Sequence, residues 1–242
     1  MHPLRTLHLF AGAGGGILAD LLLGHRPIGA VEIRKHCQDV LLQRIADGVL
    51  PWFPLFADVR EFDGRPWRGV VDILNGSFPC QPFSSASRGR RVAVDLWPEQ
   101  RRIIGECRPR FVLAENVQRA PIESAAWDLH AAGYQAAFCE LSAADLGAPH
   151  QRRRWWLVAA DANGNGELRL PVHVQAVARA STDAPLDWWA HDRDAHRVSH
   201  GMASRMVRLS ALGNGVVPVV EAAAWCLLRP LVGNGSDGPE PL

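Results

Sequence analysis

Cys80 stands between two prolines in the run Gly76-Ser77-Phe78-Pro79-Cys80-Gln81-Pro82-Phe83-Ser84, directly after the apolar stretch Val70 to Leu74. Proline fixes its own φ and biases the preceding residue toward extended backbone, so this context holds the cysteine on a stiff turn at a strand end. Two readings fit the run alone: a small buried hydrophobe in a proline-rich loop, and a thiol positioned as a nucleophile. A carboxyl closes a second strand, where Glu115-Asn116 follows Phe111-Val112-Leu113-Ala114. Open α/β sheets hold ligands at the carboxyl ends of strands, so Glu115 lies beside the Cys80 turn if the two strands are neighbours. There it is a candidate acid for a base held above the thiol. Arg88, Arg90, Arg91, Arg101 and Arg102 form one basic cluster, and Arg152 to Arg154 a second. Guanidinium forks of this kind suit phosphates and base edges.

The elements that must position these residues are legible as short apolar runs alternating with helical patterns. They run from Leu4 to Phe10, Ile17 to Leu23, Ile28 to Val31, Cys37 to Ile45, Val70 to Leu74, Leu96 to Ile104 and Phe111 to Ala114. Such alternation predicts βαβ units and a parallel sheet covered on both faces. Tyr134 to Leu141 and Trp155 to Ala160 read as two further strands around the Gly147-Ala148-Pro149 turn, and Val216 to Leu228 as a helix. The segment Phe10-Ala11-Gly12-Ala13-Gly14-Gly15-Gly16 follows the first strand and precedes a helix, a turn that lets backbone approach a ligand closely. As a dinucleotide fingerprint it is incomplete, because Ile17 stands at the third glycine position. Glu32, ending the second strand, can accept hydrogen bonds from ribose hydroxyls. Asp58, after Leu55-Phe56-Ala57, can cap the third strand and bind an adenine amino group.

At 242 residues the chain can form one large α/β core with a minor lobe. A net charge of +1 means that the molecule as a whole is no magnet for polyanions, so binding must come from the local clusters. The five cysteines are scattered without a Cys-x-x-Cys pair, which argues for reduced thiols in a cytosol-like compartment and against structural zinc. No apolar run approaches the ~20 residues that span a bilayer, and the N-terminus lacks a signal peptide's apolar core. The expected domains are a catalytic unit over 1–162 and 200–229, an insert over 163–199, and a flexible tail over 230–242.

The ordered combination of glycine turn, strand-end Glu32, Pro79-Cys80-Gln81-Pro82-Phe83-Ser84, Glu115-Asn116-Val117, Arg152-x-Arg154 and the late Gly213-Asn214-Gly215-Val216-Val217-Pro218 resembles the DNA cytosine-5 methyltransferases. That resemblance covers residues 6 to about 228 apart from the insert. It implies an α/β, S-adenosylmethionine-dependent methyltransferase (Rossmann-like) fold, a mostly parallel sheet with helices on both faces, plus a small target-recognition lobe. Cofactor residues implied are Phe10 stacked on adenine, Ala11, Gly12 and Gly14 at the turn, Glu32 and Ile33 at the ribose, and Asp58 and Val59 at the adenine. Pro79 and Leu96 would complete the wall, and Asn214, Gly215 and Val216 would close the pocket. Cys80 would be the nucleophile, Glu115 the partner of cytosine N3 and its amino group, and Arg152 with Arg154 a clamp on the base and backbone.

The resemblance further implies double-stranded DNA as partner, S-adenosyl-L-homocysteine as product, no metal, no membrane, a monomer, and a cytoplasmic setting. Ser84, Ser85, Ser87, Arg88, Arg90 and Arg91 would close over DNA, joined by Asn116 and, from the insert, Arg169 and His173. Three positions depart from the pattern: His8 replaces the usual Asp, His150 the Gln that opens Gln-x-Arg-x-Arg, and Ile33 the aromatic after the acidic residue. Three alternatives stand beside this reading. They are a tRNA cytosine-5 methyltransferase with the same motifs, an NAD-dependent oxidoreductase built on the glycine turn, and a non-catalytic nucleic-acid-binding protein of the same fold.

Overall fold

A computed structural model describes residues 2–79, 95–148, 150–162, 168–175 and 215–232. Strands β1 (Arg5–Leu9), β2 (Arg26–Val31), β3 (Leu55–Phe56), β4 (Ile73–Gly76), β5 (Phe111–Asn116), β6 (Tyr134–Leu141), β7 (Arg154–Asp161) and β8 (Val172–Val174) join one sheet. Their order is β3-β2-β1-β4-β5-β7-β6-β8. Strand β7 alone runs against its neighbours, wedged between β5 and β6. Helices α1 (Gly15–Leu22), α2 (Lys35–Ala46), α3 (Trp97–Cys107), α4 (Arg119–Ala131) and α5 (Pro218–Val232) cover it.

Alternation along each strand decides which helix it meets. Leu7, Leu9, Leu74, Val112, Ala114, Leu157 and Ala159 face α3 and α4, packing on Ile103, Ile104, Ile122, Ala125 and Leu129. Ile73, Phe111, Leu113, Trp156 and Val158 face α5, where Val220, Ala224 and Leu228 meet them. A smaller cluster of Ile17, Ala30, Leu41, Leu50 and Phe53 seals the α1 and α2 end.

Two details differ from the expectation. Pro230 does not start the tail: α5 continues through it to Val232, because Val232 is buried in the α5 core and the Leu231 carbonyl accepts from Gln135 Nε2 at 3.2 Å. Pro230 has no N–H to donate to the Cys226 carbonyl, so only one helical hydrogen bond is given up this close to the helix end. Within the 163–199 stretch, β8 pairs in parallel with β6 and so extends the main sheet at its edge.

Candidate active site at the carboxyl ends of the strands

Strands β4 and β5 are adjacent and parallel, with Gly76 opposite Ala114, so the turn that leads to Cys80 starts level with Glu115. Cys80 itself lies outside the described residues. The Glu115 side chain is 12% exposed and receives Arg154 Nε at 3.0 Å. Burial pushes its carboxyl above the ordinary range, against the pull of Arg154, a hydrogen bond from Ser77 and the charge of Arg152. That shift favours the protonated form of the carboxyl, the form that donates to a ring nitrogen.

Arg154 reaches Glu115 because antiparallel β7 starts where β5 ends, with Trp156 directly opposite Glu115. Arg152 enters β7 in a left-handed conformation (φ 32°) and donates through Nη2 to the Gly215 carbonyl, tying the α5 approach to the same site. Burial and the neighbouring Arg154 lower its affinity for the proton, while Glu115 opposes them. Glu115, Arg152, Arg154, Trp156, Gly215 and Val216 together line a small cavity.

The second half of the site lies at the ends of β1 and β2. Phe10 is half-buried with φ 55°, beginning a turn in which Gly12 and Gly14 also take positive φ. Gly12 N–H donates to Glu32 Oε2 at 2.7 Å, fixing the buried carboxylate against the turn, and Ala11 N–H holds the Val31 carbonyl at 3.1 Å. A buried carboxylate beside such a turn fits an adenosyl ligand, which brings vicinal hydroxyls. Gly15 is packed so closely on the α5 approach that an added Cβ would sit 2.2 Å from Val216 O. Leu96 and Phe10 each pack against the core under α3, and Val59 is buried in that core. Pro79 and Ile33 are exposed. The Asp58 carboxylate is engaged by Arg60 Nε at 2.9 Å, a bond that lowers its proton affinity.

On the side expected to meet DNA, the structure redistributes the residues. Asn116 is 3% exposed and spends its amide on the Phe78 carbonyl at 3.0 Å, so it is a clasp inside the fold rather than a surface contact. His173 on β8 is exposed but stacks on Phe138 (5.3 Å between centroids) and leans on Trp155 (5.4 Å). Arg169 is exposed. Ser84, Ser85, Ser87, Arg88, Arg90, Arg91 and Asn214 lie outside the described residues.

Four residues at the site carry no role in the sequence reading: Ser77, Trp156, Arg34 and Glu221. The signal for Trp156 is the two-residue period that puts Arg154 and Trp156 on one face of β7. Its indole Nε1 is buried with no hydrogen-bond partner among the described residues. Glu221, on α5, sits under the glycine turn 3.0 Å from where a Gly16 Cβ would fall and holds Asn75 at 2.5 Å. Distance along the chain hid both Arg34 over Gly12 and Glu221 under Gly16.

Sheet order, glycine turn and strand-end acids place the molecule among the α/β methyltransferase folds. The crystal structure of a DNMT2 variant from Spodoptera frugiperda superposes with TM-score 0.56 at 19% identity over 71% of this chain and 55% of that one, a likeness of fold alone. The chain belongs to the C-5 cytosine-specific DNA methylase family, whose model matches residues 4–185. It is 35% identical over 116 residues to the Type II methyltransferase M.NgoMIV of Neisseria gonorrhoeae, an alignment that takes in 47% of this chain and 35% of that enzyme. It is 25% identical over 184 residues to the human tRNA (cytosine(38)-C(5))-methyltransferase, covering 66% of this chain and 43% of that protein. The match thus spans less than half the length of either relative. No helix among the described residues is long and apolar enough to cross a membrane.

Proposed function

We propose that the chain is the catalytic core of a DNA cytosine-5 methyltransferase acting on a base flipped out of duplex DNA. The observation that carries this reading is Glu115 itself: buried, held by Arg154 and Ser77, and level with the strand-end turn that runs into Cys80. Cytosine C5 is too electron-poor to attack an alkyl donor directly, so the ring needs a covalent partner. The Cys80 thiolate adds to C6 while Glu115 delivers a proton to N3, and the ring becomes an enamine nucleophilic at C5. When bound, S-adenosylmethionine would give its methyl to C5 and leave as S-adenosylhomocysteine, and Phe10, the Gly12 turn and Glu32 are the residues that would hold it. After C5 loses its proton to water, the thiolate of Cys80 is expelled, the C5–C6 double bond returns, and N3 gives its proton back to Glu115. Arg152 and Arg154 keep the base against Glu115, and flipping costs a few kcal/mol in unstacking.

Residues 163–199 would contribute a small recognition lobe, and the enzyme would act as a cytoplasmic monomer within a restriction-modification or related context. Likeness to the human tRNA enzyme supports a second reading, with tRNA as the substrate. One assay decides between them: labelled S-adenosylmethionine is incubated with duplex DNA, tRNA or neither, and the methylated base is identified after digestion. Label in 5-methylcytosine from DNA, abolished by Cys80→Ala, is the expected result. Label confined to tRNA, or none with DNA, overturns the DNA reading.

A further inference from the structure

We propose that Arg34 competes with the cofactor's ribose for Glu32 and thereby sets how tightly this chain binds adenosyl ligands. The inference rests on the S-adenosylmethionine reading above. An ionised carboxylate offers about four acceptor positions. In Glu32 three are taken: Oε1 receives Arg34 N at 2.8 Å and Arg34 Nε at 3.0 Å, and Oε2 receives Gly12 N at 2.7 Å. One position remains, on Oε2. A ribose presents two vicinal hydroxyl donors, so the second can be accepted only when the Arg34 guanidinium withdraws.

A separate observation places the same side chain in the ligand's path. A Cβ on Gly12 would lie 3.5 Å from Arg34 Nη2, so the guanidinium covers the turn that an adenosyl ligand must approach. It is free to leave. The Arg34 side chain is 39% exposed, and its backbone stays anchored through the Gln38 N–H to Arg34 O bond at 3.0 Å. Gln38 Nε2 also holds the Glu32 carbonyl at 2.6 Å, so the strand end keeps its shape when the side chain swings out. Solvent reaches the Arg34 end of this pair and weakens it, which makes Arg34 a brake on binding rather than a block.

The test is calorimetric titration of S-adenosylhomocysteine into the wild-type chain, Arg34→Met and Arg34→Lys. Met keeps the length without charge, and Lys keeps charge without the Nε–H that bonds Oε1. Arg34→Met should bind about two- to fivefold tighter, in line with a partly exposed ion pair, and Arg34→Lys should fall between. The 2′-deoxy analogue, whose single remaining hydroxyl the free Oε2 position accepts, should gain less from Arg34→Met than S-adenosylhomocysteine does. Weaker or equal binding of S-adenosylhomocysteine by Arg34→Met, with Arg34→Lys agreeing, overturns the proposal and leaves the cofactor reading intact. Failure of the wild-type chain to bind S-adenosylhomocysteine removes the cofactor reading and this proposal with it.

Discussion

Asn116 Nδ2 donates to the Phe78 carbonyl at 3.0 Å, joining the end of β5 to the turn two residues ahead of Cys80. Its Oδ1 accepts Gln118 N at 3.1 Å and so also steers the chain into α4. Adjacent residues of β5 point to opposite faces, so Glu115 bonds Ser77 on one side of the sheet while Asn116 bonds Phe78 on the other. Two consecutive residues of β5 thus grip two consecutive residues of the turn that follows β4, and the segment that enters Cys80 is held from both faces.

Replacing Asn116 with Leu should loosen that grip. The Phe78 carbonyl would be left buried without its donor, at a cost of about 1–3 kcal/mol in unfolding free energy. Turnover should fall as well, with S-adenosylhomocysteine affinity unchanged because the cofactor half of the site is untouched. Urea melts, steady-state kinetics and calorimetry together test this, and unaltered turnover beside a lowered midpoint would confine the clasp to stability.

Gly15 offers a contrast with Gly105. A Cβ at Gly15 would fall 2.2 Å from Val216 O and 3.1 Å from Val216 C, backbone atoms that cannot rotate away. Gly15→Ala should therefore displace the segment that also receives Arg152, costing about 1–3 kcal/mol as overpacking does and weakening S-adenosylhomocysteine binding. A Cβ at Gly105, inside α3, would meet nothing within 4 Å. Gly105→Ala should stabilise by about 0.5–1 kcal/mol through helix propensity. Equal melting midpoints for the two variants would refute the packing argument.

The seven apolar runs that mark strands and helices from Leu4 to Ala114 correspond to elements of the sheet and its cover, because each buries a continuous or evenly spaced apolar set. Helix α4 is fainter in sequence: its buried positions are Ile122, Ala125, Ala126 and Leu129, half of them alanine, so the periodic signal is weak. The adjacency of Glu115 to the Cys80 turn follows from a general rule about strand ends and needs no side-chain detail. Asn116 could not be placed in the same way. Strand alternation sends it to the face opposite Glu115, yet its position in a motif beside Glu115 made it look like a partner in the site. His8 is the other case. Its replacement of the usual Asp looks like a cofactor change, but the structure spends its ring on Asp20 of α1 at 2.5 Å.

That buried cluster predicts how stability changes with pH. Thr6 and His8 of β1 bond Asp20 of α1, His25 stands 3.4 Å from Asp20, and Asn75 of β4 bonds Glu221 of α5. Burial raises Glu221 to about 7, with Asp20 and Glu115 adding to the shift while His8 and Asn75 oppose it. Burial alone would lower His8, but Asp20 and Glu221 carry it above its ordinary 6.5. Asp20 is held at about 2 by His8, His25 and Thr6 despite its burial. A raised carboxyl contributes stability in full below its unfolded value of about 4.5 and loses it as pH climbs through about 7. His8 acts in the same sense, its contribution falling away above its raised value, whereas Asp20 loses its contribution only as pH drops from 3.8 toward 2. Unfolding free energy should therefore decline from pH 5 to 8. Glu221→Gln keeps the hydrogen bond to Asn75 without a proton to lose, so it should flatten that decline and leave the variant more stable than wild type at pH 8. Urea melts across this range measure both curves. Parallel profiles for the two proteins would show that Glu221 is already ionised at pH 5 and that the cluster carries its charge some other way.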